Sequence, residues 1–216
     1  MDKISYTLDK TRVKCFITDN LPMFNGENMK VSGVLKALPL MYPCPVTLVT
    51  CTNAEGKDNI ITVSWMGVLC SNPPKIGIGI KTDHYSLGFI EESGEFVVNI
   101  PDDKLVEEAD YCGIMSGRDV DKFSKTGLTR EPAKIVRAPL IKECPVNLEC
   151  VVREKLELGS HKLYVGEVVG THVDDSVMDA KGNIDFAKAA PFVWNDFEYW
   201  GIGKKKGRLG FSKGKF

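Results

Sequence analysis

Val46-Thr47-Leu48-Val49-Thr50-Cys51-Thr52, then the turn cluster Asn53-Ala54-Glu55-Gly56-Lys57, then Asn59-Ile60-Ile61-Thr62-Val63-Ser64-Trp65, is the stretch on which the fold turns. Both outer runs are rich in β-branched residues, and a short glycine-containing loop joins them, so they read as an antiparallel hairpin. Downstream, Pro73-Pro74 stops a strand-like segment, because proline has no N–H to give to a ladder. Lys75-Ile76-Gly77-Ile78-Gly79-Ile80 then alternates with period two. Its three isoleucines share one face, and its glycines leave the other bare to another backbone or a flat ligand. Residues 86–94 read as a short helix ended by glycine, 95–100 as a strand ended by Pro101, and 103–116 as the strongest helix. A polar loop follows at 117–123, with further strands over 146–154, 161–169 and 192–194. Strands far outnumber helices at spacings too short for repeated βαβ units. The fold class expected is therefore mainly β (α+β): an antiparallel sheet or barrel with a few peripheral helices.

The bounds on function are set by composition. The chain has 216 residues, 28 Lys+Arg against 29 Asp+Glu and a formal net charge of −1, which suits one domain and gives no basic footprint for nucleic acid. No apolar run approaches the length of a membrane span, and residues 1–14 carry no apolar signal core, so a cytoplasmic location is expected. Seven cysteines, an odd number without a CxxC pair, point to reduced thiols that pack as small hydrophobes, Cys70 and Cys112 being the two with a case for reactivity. Three histidines without short ligand spacings make a metal site unexpected. Residues 1–28 read as an N-terminal extension, 29–200 as the domain, and 201–216 as a Lys/Gly-rich tail that is either a solvated run or a grip on a partner subunit.

Gly77-Ile78-Gly79 is no dinucleotide fingerprint: Thr82 stands where the third glycine belongs, and the segment lies inside a strand. GxxxxGK[ST] and HExxH are absent from the sequence. Lys81, Thr82, His84 and Ser86 stand between a strand and a helix start, where charge and helix N-terminal amides could hold a phosphate. The plainer reading of the same cluster is a solvated loop with a helix cap, for which Ser86 or Asp83 would serve.

Several pieces in order resemble the flavin reductase-like family, and within it the flavoredoxin branch. They are Pro43-Cys44-Pro45 with the strand after it, Asn59 to Trp65, Ser71-Asn72-Pro73-Pro74, Gly94 to Pro101, Gly117 to Phe123, Ala138-Pro139-Leu140-Ile141 and His161 to Val168. The resemblance implies a six-stranded FMN-binding split β-barrel that forms a homodimer with FMN near the subunit interface. It implies that Thr62, Val63, Ser64, Trp65 and Met66 run along the isoalloxazine, with Cys70, Ser71 and Asn72 across the same pocket. Lys81, Thr82, His84 and Ser86 would take the ribityl chain and phosphate, while Asn99 and the Asp121-Lys122-Phe123 loop close the site. His161 falls where relatives that use nicotinamide carry Gly-Asp-His; here Gly159-Ser160 precedes it, so the Asp is missing. Trp65 reads equally as a core residue, and His161 as a surface histidine. The function implied is an oxidoreductase that reduces flavin, or a flavin-accepting partner, with NAD(P)H. The alternative is a flavoredoxin-like electron carrier with FMN and a redox partner protein. Neither needs a protein acid–base pair, so no catalytic side chain is assigned.

Overall fold

The computed structural model describes residues 39–214. After a two-residue strand, β1 (Cys44–Pro45), the hairpin forms as β2 (Thr47–Thr52) and β3 (Asp58–Val63), with Thr52 opposite Asp58. Only Ser64 and Trp65 separate β3 from β4 (Met66–Ser71), which turns through Asn72-Pro73 into β5 (Pro74–Lys81). Helix α1 (Tyr85–Ser93) leads to β6 (Glu95–Ile100), α2 (Val106–Ile114) and α3 (Lys122–Thr126). Short strands β7 (Arg130–Glu131) and β8 (Leu140–Ile141) precede the long hairpin of β9 (Val146–Glu157) and β10 (His161–Val173). The described chain ends with α4 (Phe186–Ala189), β11 (Phe192–Asn195), β12 (Glu198–Gly201) and exposed residues to 214. The extension at 1–28 lies outside the described residues.

Seven strands pair antiparallel in the order β3-β2-β6-β9-β10-β5-β4. The two edge strands, β3 and β4, are joined by two residues, and Gly79 N–H of β5, the strand next to β4, donates to Trp65 O at 2.8 Å. A sheet whose opposite edges are two residues apart must curl on itself, so this is a barrel split at the Ser64–Trp65 seam. The sheet has seven strands where the resemblance implies six, with β3 and β4 counted as separate edge strands on either side of Ser64 and Trp65. The bare face of Gly79 is used as its sequence suggested: a Cβ there would lie 3.4 Å from the Trp65 carbonyl oxygen. Two register shifts, one at Arg153 of β9 and one at Val169 of β10, bend the long hairpin around the barrel.

Strand β2 is buried along its whole length, which explains its unbroken run of β-branched and apolar residues. Val49 and Cys51 point into the barrel with Ile76, Ile78, Ile80, Phe96 and the buried face of α1. Leu48 and Val46 point the other way, under α2 and α3, with Ala109, Cys112 and Phe123. Five of the cysteines pack as hydrophobes: Cys44, Cys51, Cys112, Cys144 and Cys150 are buried. Burial pushes the Cys51 and Cys150 thiols up to about 12 and that of Cys112 to about 11, so Cys112 is held as an inert thiol at neutral pH.

Two buried polar clusters tie the barrel to its covering loops. Asn99 on β6 donates to Leu48 O at 2.8 Å and accepts from Ile141 N–H at 2.9 Å and from Asn147 Nδ2 at 2.8 Å. Glu149 on β9, with no exposed surface, accepts from the N–H groups of Lys134, Ile135 and Val136 at 3.1, 2.6 and 2.8 Å, and from His172 Nε2 at 2.6 Å. It thereby straps the segment before β8 onto the sheet, where Val136, Ala138 and Leu140 cover Val97. Replacing Asn99 with leucine should deprive the Ile141 N–H of its side-chain acceptor in the interior and leave the Asn147 amide only its bond to Ile141 O at 3.1 Å. We expect a loss of about 2–4 kcal/mol, read as a lower urea midpoint with an unchanged slope. A midpoint within 0.5 kcal/mol of wild type, in order-of-magnitude terms, would show the cluster to be idle.

Candidate functional site

A cleft opens where β3, the β5–α1 junction and the loop after α2 meet. Its floor is Asn59 and Ile61 of β3, one wall is Lys81 to Ser86, and the other runs from Cys112 to Arg118, with Lys122 at the base. The cavity holds about 300 Å³, the lower end of the range for small-molecule clefts. A shallower pocket of about 170 Å³ adjoins it through Ile61, Lys81 and His84 and is bounded by Thr62 to Trp65 and by His161.

Local interactions lock the three segments together. Asn59 Nδ2 donates to Ser86 Oγ at 2.8 Å, which turns Ser86 inward to β3. Ser86 is therefore buried and does not cap α1; His84 occupies the N-cap position without a side-chain bond. The loop after α2 approaches Asn59 so closely that a Cβ on Gly117 would strike the Asn59 amide, so only glycine fits there. Thr62 Oγ1 donates to Ala109 O at 2.5 Å and binds α2 to β3.

The charges in the cleft are unbalanced. Lys81 is already paired with Asp83 at 2.7 Å. Among the described residues no carboxylate lies in ion-pair contact with Lys57, Arg118 or Lys122. Arg118 donates to Asp83 O at 3.3 Å, and both its guanidinium and the Lys57 ammonium stand 5.3 Å from the Tyr85 ring centroid. Lys122 is buried, donating to Cys112 O at 2.7 Å, and burial pushes its ammonium below the ordinary lysine range. Desolvation by its surroundings lowers His84 too, with Lys81, His161 and Lys122 adding to the shift against the opposing pull of Asp83, so the imidazole is neutral at pH 7. A buried cation and an exposed guanidinium without counter-charges, beside hydroxyl and amide donors, form a receptor for an anion such as a phosphate.

At the other end Trp65 and His161 stack, ring centroids 4.5 Å apart and planes 28° from parallel. Ser160 Oγ lies 2.9 Å from His161 Nδ1, and the Ser160 carbonyl accepts from Thr82 N–H at 3.1 Å. Trp65 is thus 45% exposed at the seam, outside the core clusters.

Of the residues read from the sequence, Thr62, Val63, Ser64, Trp65, Lys81, His84, Ser86, Lys122 and His161 line these two connected cavities. Val63 can offer only its backbone, since its side chain fills the barrel. Met66 stands next to the seam, its sulfur accepting from Thr47 Oγ1 at 3.0 Å, and Thr82 sits exposed at the rim. Other residues are placed elsewhere. Cys70, Ser71 and Asn72 cap the far end of the β4–β5 hairpin, where Ser71 faces Pro74. Lys81 is at the opposite end of that eight-residue strand, roughly 23 Å away. Asn99 is satisfied inside the barrel wall, and Phe123 is buried beneath Arg130 in the second core. Missed from the sequence were Asn59, Gly117 and Arg118. Gly117 and Arg118 lie in the quoted Gly-Arg-Asp loop, but nothing local says that the loop folds back over β3.

An antiparallel split barrel with a cationic cleft at its seam is the class these observations define. Comparison with known proteins narrows it: residues 40–202 match the flavin reductase like domain, and the chain belongs to that family. It resembles the flavoredoxin of Desulfovibrio vulgaris (Miyazaki F) at 34% identity and a TM-score of 0.79, over 86% of this chain and 100% of that one. It also resembles the flavoredoxin of Methanosarcina acetivorans at 32% identity and a TM-score of 0.77, over 88% and 100%. An uncharacterized protein of Archaeoglobus fulgidus is 35% identical over 155 residues, 72% of this chain and 86% of the relative.

Proposed function

We propose that this chain is an FMN-binding oxidoreductase that takes electrons from NAD(P)H and passes them to free flavin or to a flavin-accepting partner. The observation that carries the reading is the pairing, in one continuous cleft, of unbalanced cations at one end with a flat aromatic stack at the other. That is the division of a flavin mononucleotide into phosphate and ring. The bound flavin would supply the two-electron chemistry. Arg118 and Lys122 would hold its phosphate, with Ser86 and Asn59 beside them. Ser64 and the backbone from Thr62 to Trp65 would face the ring's polar edge, and the stacked Trp65 and His161 would set access to its face. No side chain is assigned an acid–base role.

A homodimer is part of the proposal. Among the described residues the edge strand β4 pairs with β5 alone, and Val68 and Leu69 on it are exposed, a sheet edge that a second copy can cover. A cytoplasmic location suits the free thiols. Among the described residues no helix is long and apolar enough to cross a membrane.

A specific observation favours the carrier reading as the second: His161 is already stacked on Trp65, and Ser160 stands where the family resemblance implies an Asp for nicotinamide use. An absorbance scan followed by anaerobic additions of NADH and NADPH decides between them. Flavin bands that bleach with either nucleotide support the reductase. Bands that respond only to dithionite transfer the assignment to an electron carrier. A protein that stays colourless after FMN is added ends both.

A further inference from the structure

The short sheet β1-β11-β12 has two unlike faces. Phe192, Trp194 and Tyr199 turn inward and join the core under α2 and α3. Val193 and Trp200, opposite each other in the register of β11 and β12, lie on the other face, as strand alternation requires. With Pro43, Asn195 and Ile202 they line an open, mainly apolar groove of about 500 Å³. It shares no lining residue with the two cavities of the flavin reading.

The chain leaves this face as a basic segment. Residues 199–216 hold six of the 28 Lys+Arg and none of the 29 Asp+Glu, so the rest of the chain, at 22 against 29, carries a net −7. Lys204, Lys205, Lys206, Arg208 and Lys213 are exposed and form no ion pair among the described residues. The flavin reductase like domain ends at residue 202 in this chain, short of all these charges. Large apolar side chains are interleaved with them: Trp200, Ile202, Leu209 and Phe211 are each more than half exposed. A run of charge by itself is at rest in water. Four large apolar side chains in the same run, beside an apolar groove, mark an interaction surface.

An acidic protein would answer the lysines, but it would set polar surface against the tryptophan, isoleucine, leucine and phenylalanine. An anionic lipid surface answers both. Its headgroups pair with the cations, and the apolar side chains enter the boundary between headgroups and acyl chains. Such a surface asks for no fixed shape, which suits a segment without helix or strand after Gly201 among the described residues. The net −7 elsewhere on the chain is repelled by the same surface, so this end alone would face it.

We infer that the outer face of β11 and β12, with residues 202–213, is a docking surface for an anionic lipid bilayer, on which the protein lies without spanning it. The inference stands apart from the flavin reading, because no residue of the cleft takes part.

The test is co-sedimentation of the full-length protein with vesicles of phosphatidylcholine and with vesicles of two parts phosphatidylcholine to one part phosphatidylserine. Wild type should pellet with the phosphatidylserine vesicles, not with phosphatidylcholine alone, and less of it should pellet as salt is raised. The triple variant Lys204→Ala, Lys205→Ala, Lys206→Ala should bind at least about tenfold more weakly. Leu209→Ser with Phe211→Ser should also lower the affinity, by about fivefold or more, while keeping every charge. Flavin content should be the same in all three proteins. Binding to neither vesicle overturns the inference, and so does equal binding to both or binding indifferent to the triple substitution. Vesicle binding that ignores Leu209→Ser with Phe211→Ser overturns it as well, because the lysines would then act as plain surface charge. Salt-sensitive binding to polyglutamate with none to the vesicles overturns it and gives the segment to an acidic protein.

Discussion

Replacing Arg118 with alanine should weaken FMN binding by about 10- to 100-fold, the size of one or two charge-assisted hydrogen bonds, about 1.5–3 kcal/mol. The guanidinium is exposed and, among the described residues, meets the Asp83 carbonyl and the face of Tyr85 and no carboxylate. Its removal should therefore leave the melting temperature nearly unchanged, as surface substitutions away from special features do. Flavin titrations at two ionic strengths check the cause. The gap between wild type and Arg118→Ala should narrow as salt is raised, because an exposed charge is screened over about 8–10 Å at physiological ionic strength. Arg118→Lys should recover part of the affinity, keeping the charge but losing the planar fork. Unchanged FMN affinity in Arg118→Ala would remove the anion end of the cleft from the flavin reading.

Glu149→Ala should be the most destabilising of the substitutions considered, at about 3–5 kcal/mol. It deletes the shared acceptor of three strap N–H groups and of His172 at a position without solvent access. Burial alone would push the Glu149 carboxyl up. The bonds from His172, Val136, Ile135 and Lys134 more than offset it and hold the carboxyl below its ordinary 4.5. A carboxylate whose folded value is depressed adds stability that is fully present above the unfolded value. That contribution is lost as pH falls from about 4.5 through the folded value. Urea midpoints at pH 7, 5 and 4 should therefore show the wild-type advantage over Glu149→Ala shrinking towards the acid end. An advantage that stays constant with pH would mean that packing, rather than the charged hydrogen bonds, makes the difference.

These two residues mark different degrees of legibility. The hairpin of β2 and β3, the alternation in β5, the glycine stop of α1 and the strands β6, β9 and β10 were readable because each depends on neighbours within a few residues. So was the broad position of the cleft, since Lys81, His84 and Ser86 are brought to it by one strand-to-helix junction. The resemblance implies that Asn99 helps close the site, whereas its amide bonds Leu48, Ile141 and Asn147; a sequence does not distinguish an amide that bridges buried loops from one that meets a ligand. Ser86 reads as a helix cap, yet Asn59, 27 residues away, turns it inward. The polar run 117–123 reads as loop, and its end is the start of α3, whose N-cap Asp121 accepts from Ser124 N–H at 3.4 Å.

By itself the sequence determined the class of this protein: an antiparallel β domain of the flavin reductase-like family, with most of its thiols packed as small hydrophobes. Periodicity, turn residues and prolines act over short distances, and they survive in the linear order of residues. Which cations are available was decided only by the tertiary structure. Lys81 is neutralised by Asp83, and Lys57 from the β2–β3 turn meets Arg118 and Lys122 of the run leading into α3 around Tyr85 and Cys112, without an ion-paired carboxylate among the described residues. The closure that brings them together comes from the barrel seam at Ser64–Trp65 and from the contact of Gly117 with Asn59. Both depend on backbone approach between distant parts of the chain, and an electrostatic site of this kind exists only once those parts have met.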